Sequence, residues 1–136
     1  ATFVEVDGVR WSLPGDEATV AADGTIVVLG RSAQCINTGG EKVYVEEVES
    51  ALKGHPDIAD LVIVGVADEQ WGQRVAAVVE PRAGHTPQLD DVRDHGRIRL
   101  ASYKLPTRLV TVDRIVRQPS GKPDYRWAAA AVEDSD

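Results

Sequence analysis

One turn near the end of the chain carries the residue with the clearest chemical use. Residues 117–123 read Arg-Gln-Pro-Ser-Gly-Lys-Pro and set a single lysine, Lys122, on a segment of proline, serine and glycine. Pro123 is placed to open a helix and to keep the lysine out of the helix body. A loop that offers one long cation to an anionic ligand has this composition, and so does an ordinary surface turn with a solvated lysine. What separates the two readings is the company Lys122 keeps. Upstream stand Gly15-Asp16 after a proline, Gly30-Arg31 after an apolar run, and the run Asn-Thr-Gly-Gly-Glu-Lys-Val over residues 37–43. Taken alone, Asp16 would be a turn former bonded to its own backbone.

Other candidate chemistry falls away on spacing. His55, His85 and His95 share no metal-ligand spacing, so no zinc or other metal site is expected. Ser120-Gly121-Lys122 lacks the first glycine of a phosphate loop, and Pro123 stands where that motif needs a hydroxyl. Glu46, Glu47 and Glu49 read as the polar face of an amphipathic helix rather than as a carboxylate cluster. Cys35 is the only cysteine, which rules out an intrachain disulfide, suits a reducing cytoplasm and reads as small packing.

The elements that must hold these residues follow from pattern and composition. A net charge of −7 argues against a broad footprint for nucleic acid or an anionic membrane while leaving room for a local basic pocket. No apolar run reaches the roughly 20 residues of a membrane span, and the chain starts in strand-like sequence, as a piece of something longer would. Residues 2–6 and 9–11 flank Asp7-Gly8, and residues 18–20 and 25–29 flank Asp23-Gly24, so two hairpins are expected. Residues 32–40 are small and polar, a flexible connector between two bodies. Val45, Val48 and Leu52 recur at helical spacing, with Gly54 and Pro56 closing that helix. Residues 61–66 form an apolar, β-branched strand that pairs antiparallel with 74–79. A helix is expected from Thr86-Pro87 to near Tyr103, a strand over 109–112, and a closing helix over 123–132. The outcome is a small two-layer α+β domain, its mainly antiparallel sheet covered by helices and preceded by β-hairpins.

In order and spacing, Gly15-Asp16, Gly30-Arg31, the run 36–43 and Pro119 to Tyr125 resemble the C-terminal portion of the adenylate-forming superfamily: acyl-CoA synthetases, luciferases and nonribosomal peptide adenylation domains. The resemblance covers nearly the whole chain. It is nearest to bacterial fatty-acid-CoA ligases through Trp11-Ser12-Leu13-Pro14-Gly15-Asp16, Asp68-Glu69-Gln70-Trp71-Gly72 and Tyr125-Arg126-Trp127-Ala128. It implies that residues 1–31 are the tail of a large N-terminal domain, 32–40 a hinge and connector, and 41–136 the C-terminal lid. It implies that the Asp16 carboxylate accepts from the ribose hydroxyls of ATP or AMP, and that the Arg31 fork reaches the ribose or phosphates. Gly39 and Gly40 would line the tunnel for the CoA thiol arm, where glycine lets the backbone come close. Lys122 would enter the active site during adenylation and touch the carboxylate and bridging phosphate oxygen. Many relatives carry Asp or Lys as the pivot where this chain has Ala33, preceded by Ser32; hinges also use small residues. Lys42, Tyr103 and Lys104 are candidates for the CoA nucleotide or for structural roles.

The implied activity is that of an AMP-forming acid-thiol ligase using ATP, CoA and magnesium, the metal held mainly through ATP and the large domain. The expected partners are that large domain and an acetyltransferase acting on Lys122. The phosphate-gripping loop belongs to the large domain, so this chain alone is expected to be inactive. Long-chain or bulky acids are the expected substrates. Two alternatives stand beside this one: a domain that loads a carrier protein instead of CoA, and a non-catalytic α+β binding module.

Overall fold

The computed structural model describes residues 2–31 and 34–135. Two hairpins lead the chain. In the first, β1 (Thr2–Val6) and β2 (Val9–Leu13) are joined by Asp7 and Gly8, whose φ angles are 51° and 74°. Positive φ at both central positions matches the right-handed twist of the strands, and Asp-Gly supplies it. In the second, the register of β3 (Asp16–Val20) on β4 (Ile26–Arg31) sets Asp16 opposite Arg31. Each hairpin is a two-stranded sheet with large exposed apolar side chains, among them Trp11, Leu13, Val20, Ile26 and Val28.

The main sheet has five strands: β5 (Cys35–Thr38), β6 (Glu41–Tyr44), β7 (Ile58–Asp68), β8 (Gly72–Pro81) and β9 (Arg108–Thr111). β8 organises it. It runs antiparallel to β7 along its length, meets β5 at Gly72, and takes β9 in parallel from Ala76 to Val79. The β7 sequence is apolar at successive positions because both of its faces are covered. Leu61 and Ile63 pack in one core with Val48 and Leu52 of α1 (Val45–Leu52) and Val92 of α2 (Leu89–Gly96). Val62 and Val64 pack in a second core with Ala128 and Val132 of α3 (Tyr125–Glu133). The α+β class and the mainly antiparallel sheet stand as expected, and α3 adds a third layer to the two foreseen.

Three boundaries differ from expectation. Residues 35–38 fall in the expected connector, yet they form β5, paired over its whole length with β6. The helix expected from Thr86-Pro87 to near Tyr103 begins after Gln88 and stops at Gly96, and a separate 3-10 turn follows at Ser102–Lys104. A Cβ on Gly96 would stand 2.6 Å from Leu105 and 3.0 Å from Leu52, so this glycine permits a close approach of the helix end to the core. α3 opens at Asp124 and not at Pro123: the Asp124 carboxylate accepts from the Trp127 N–H at 3.0 Å, capping the first turn. Pro123 instead bridges back to Arg117 across the Lys122 turn. The pivot expected at Ser32 and Ala33 lies outside the described residues. No described helix is long and apolar enough to cross a membrane.

Candidate functional site

Lys122 sits at the tip of a tight turn. The Gln118 N–H donates to the Lys122 carbonyl and the Gly121 N–H to the Gln118 carbonyl, both at 2.8 Å. Gly121 has φ of +83°, a conformation other residues rarely adopt, so the glycine before Lys122 is a backbone requirement. The exposed Lys122 lines an open cleft of about 480 Å³ together with Arg31, Gln34, Glu46, Glu49, Gln118, Pro123 and Tyr125. Arg31 Nε also donates to Asp16 Oδ1 at 3.2 Å. Three residues singled out in the sequence, Asp16, Arg31 and Lys122, are thus linked by one ion pair and one shared cleft.

The floor of that cleft is acidic in a way the sequence reading missed. Burial pushes the Glu49 carboxyl up to about 7, against the opposing bond from the Ile63 N–H and with the help of nearby Glu46. Burial, then Glu49 and Glu46, also raises the Tyr125 hydroxyl above its ordinary value. One carboxylate oxygen of Glu46 is buried with no hydrogen-bond partner, and a Cβ on Gly30 would collide with it. Gly30, at φ of +134°, therefore lets β4 rest directly on α1. Glu47 takes both its bonds from Lys104 Nζ at 2.7 Å. These glutamates are therefore more than a solvated helix face. The signal was present: Glu49 follows Val45 by four residues and precedes Leu52 by three, which puts it inside the buried stripe.

Gly39 belongs to a different surface. Its φ is +58°, its N–H donates to the Trp71 carbonyl at 2.9 Å, and a Cβ there would lie 2.7 Å from the Trp71 ring. Asp68 Oδ1 holds the Trp71 loop by accepting from the N–H groups of Gln70 and Trp71 at 3.0 and 2.8 Å. Gly39 and Trp71 line a groove of about 350 Å³ with Thr38, Glu41, Arg74, Arg93, Ser102, Tyr103, Leu105 and Thr107. Gly40, at φ of +86°, has open space where a side chain would go. Tyr103 is in the groove, Lys104 is taken up by Glu47, and Lys42 is exposed on β6. Trp71, quoted in the sequence only as part of a motif, is the aromatic wall of this groove. Buried His55 is satisfied, its Nδ1 accepting from the Asp57 N–H at 3.2 Å. Among the described residues there is no group of three or more His, Cys, Asp or Glu side chains that could hold a metal ion.

Known proteins resemble this chain over nearly its whole length. The sequence is 54% identical over 133 residues to a medium/long-chain-fatty-acid–CoA/3-oxocholest-4-en-26-oate–CoA ligase of Mycolicibacterium smegmatis, covering 98% of this chain and 24% of that protein. It is 55% identical over 128 residues to a 3-oxocholest-4-en-26-oate–CoA ligase of Rhodococcus rhodochrous, covering 94% of this chain and 23% of the relative. The chain thus spans about a quarter of the length of the curated relatives it matches. Among solved structures, a fatty acyl CoA synthetase of Mycobacterium tuberculosis superposes with a TM-score of 0.74 at 29% identity, over 89% of this chain and 24% of that one. Residues 47–122, from the acidic turn of α1 to the lysine itself, match the AMP-binding enzyme C-terminal domain, and the chain belongs to that family.

Proposed function

We propose that this chain carries the lid of an AMP-forming acyl-CoA ligase, with residues 1–31 as the end of its large domain, 32–40 as the connector, whose stretch 35–38 joins the lid's sheet as β5, and 41–136 as the lid proper. The observation that carries the reading is that Lys122 and Arg31 line one cleft, with Asp16 paired to Arg31. In the first half-reaction a carboxylate oxygen attacks the α-phosphorus of ATP, the bond to the β-phosphate breaks, and pyrophosphate leaves. Asp16 accepts from the ribose hydroxyls. Arg31 offers its fork to the ribose or phosphates. Lys122 follows the charge on the carboxylate and bridging oxygen. Magnesium, when bound through ATP and the large domain, offsets phosphate charge. In the second half-reaction the CoA thiol attacks the acyl carbonyl and AMP leaves. The groove beside Trp71 and Tyr103 suits a narrow arm, with Gly39 making room for the indole and Gly40 open at the same turn.

The exposed apolar faces of the two hairpins support the large domain as a partner, since isolated two-stranded sheets are marginal in water. The names of the relatives favour medium- to long-chain or sterol side-chain acids as substrates, and a cytoplasmic setting suits ATP and CoA. The exposure of Lys122 suits acetylation by an acetyltransferase, which would remove the charge. The test is to give the full-length enzyme ATP and such acids, follow pyrophosphate release, and then offer CoA or a phosphopantetheinyl carrier protein. Acyl-CoA is the expected product, and the 136-residue chain alone should release no pyrophosphate. Transfer to the carrier in place of CoA would favour the loading enzyme.

A further inference from the structure

Arg117 and Asp60 lie 57 residues apart in sequence and meet at the base of the Lys122 turn. Arg117 Nη2 donates to Asp60 Oδ1 and Oδ2 at 2.7 Å, and Nε donates to Oδ2 at 3.0 Å. The remaining arm, Nη1, donates to the Gly121 carbonyl at 3.1 Å. Asp60 stands on β7, the strand covered on both faces by the two cores, so the guanidinium ties the residue before Lys122 to a strand of the packed sheet. Bonds to Asp60 also hold the Arg117 charge above its ordinary range. Ion pairs this exposed add little to folding stability. Three directed bonds from one planar group do, however, fix geometry, which a lysine at the same place would not reproduce.

We infer that Arg117 and Asp60 are a positioning pair for the adenylation step, acting through the Gly121 carbonyl to hold the turn that presents Lys122. The inference rests on the proposed role of Lys122. Neither residue touches the reacting atoms. The pair fixes where the lysine stem begins, and the flexible stem covers the remaining distance. A Pro-Ser-Gly turn freed from this anchor would spread Lys122 over many positions.

The test uses the full-length ligase with Arg117→Ala, Arg117→Lys, Asp60→Asn and the exchanged pair Arg117→Asp/Asp60→Arg, with Lys122→Ala as reference. A misplacement of about 1 Å can cost on the order of 100-fold in rate. Arg117→Ala and Asp60→Asn should therefore lower single-turnover acyl-adenylate formation by roughly 10- to 100-fold at saturating acid and ATP. CoA capture from supplied acyl-adenylate should not change. Arg117→Lys should recover only part of the loss, and combining Arg117→Ala with Asp60→Asn should be no worse than either alone. In the 136-residue chain, Arg117→Ala should speed hydrogen exchange over residues 118–124 while β7 and β8 stay protected. Normal adenylation in both single variants beside a crippled Lys122→Ala would overturn the inference. So would equal loss of both half-reactions together with a lowered melting temperature, the mark of a merely structural pair. The exchanged pair restores the ion pair but leaves the Gly121 carbonyl without a donor at position 117, so it should stay as slow as Arg117→Ala; its recovery, or unchanged hydrogen exchange over 118–124, would sink the anchor. A silent Lys122→Ala would instead remove the proposed role of the lysine, and this inference with it.

Discussion

The Lys122 cleft and the Gly39 groove lie on one small domain and are built by opposite means. The cleft is a charge device. It gathers Lys122, Arg31, Glu46 and Glu49 around Tyr125, and its turn is tied down by ion pairing and backbone hydrogen bonds. The groove is a shape device, in which a glycine of positive φ lies against an indole ring and the side walls are Tyr103 and Leu105. Charge acts on the energy of a transition state, whereas shape decides what passes. Deleting charge should therefore damage one half-reaction and adding volume the other. The largest effect is expected for Lys122→Ala in the full-length enzyme. Loss of one well-placed electrostatic stabiliser costs about 3 kcal/mol, or on the order of 100- to 1,000-fold in rate. Single-turnover assays should show that loss in acyl-adenylate formation and none in CoA capture. Equal loss in both steps would mean that cleft and groove are not divided as proposed.

A smaller effect, in the opposite step, is expected from Gly39→Ala. Its Cβ would stand 2.7 Å from Trp71, and φ of +58° costs a non-glycine residue about 1–2 kcal/mol. The indole must shift into the groove, so CoA capture should slow by roughly tenfold, since small displacements of positioning groups are costly. Adenylation should hold its rate. Adding Trp71→Ala removes the obstructing ring, and the double variant should capture CoA no more slowly than Trp71→Ala alone. Gly40→Leu sharpens the comparison, because its side chain projects into open space and should slow CoA capture only where the thiol arm passes. Slowed adenylation in Gly39→Ala would break it.

Much of this was legible in the sequence because its signals are local. Asp7-Gly8 dictates a turn, the apolar run of β7 dictates a strand covered on both faces, and the Ser-Gly-Lys order dictates the Lys122 turn. What escaped was set at long range. Nothing near Arg117 announces Asp60, and nothing near Gly96 announces that Leu105 and Leu52 pack against it at the end of α2. The capping of α3 by Asp124 was legible in principle, since Asp is a favoured cap, but Pro123 beside it offered an equally good local reason. β5 was hidden by its shortness and by the small polar residues around Ile36, and it forms a strand because β6 and the start of β8 supply partners. Glu49 was misread because a charge on a helix is normally at the surface.

Glu49 provides the smallest effect and a test of the charge side alone. Its carboxyl titrates near 7 in the folded chain, chiefly because burial disfavours the charged form, against an ordinary value of 4.5. Between these two values the folded state holds a proton that the unfolded state has released. Stability contributed by the protonated form is complete below about 4.5 and is lost as pH rises through 7. Each unit of difference corresponds to about 1.4 kcal/mol, and part of the side chain still meets water, so the usable loss is on the order of 1–2 kcal/mol. Glu49→Gln keeps an oxygen for the Ile63 N–H and carries no charge at any pH. Denaturant unfolding of the 136-residue chain should give matching stabilities for the two proteins near pH 4.5 and a growing advantage for Glu49→Gln up to about pH 7.5, constant beyond. A parallel pair of curves would mean that Glu49 is already ionised without penalty. The cleft floor would then be wet and screened, and the contrast between charge and shape would lose its buried carboxylate.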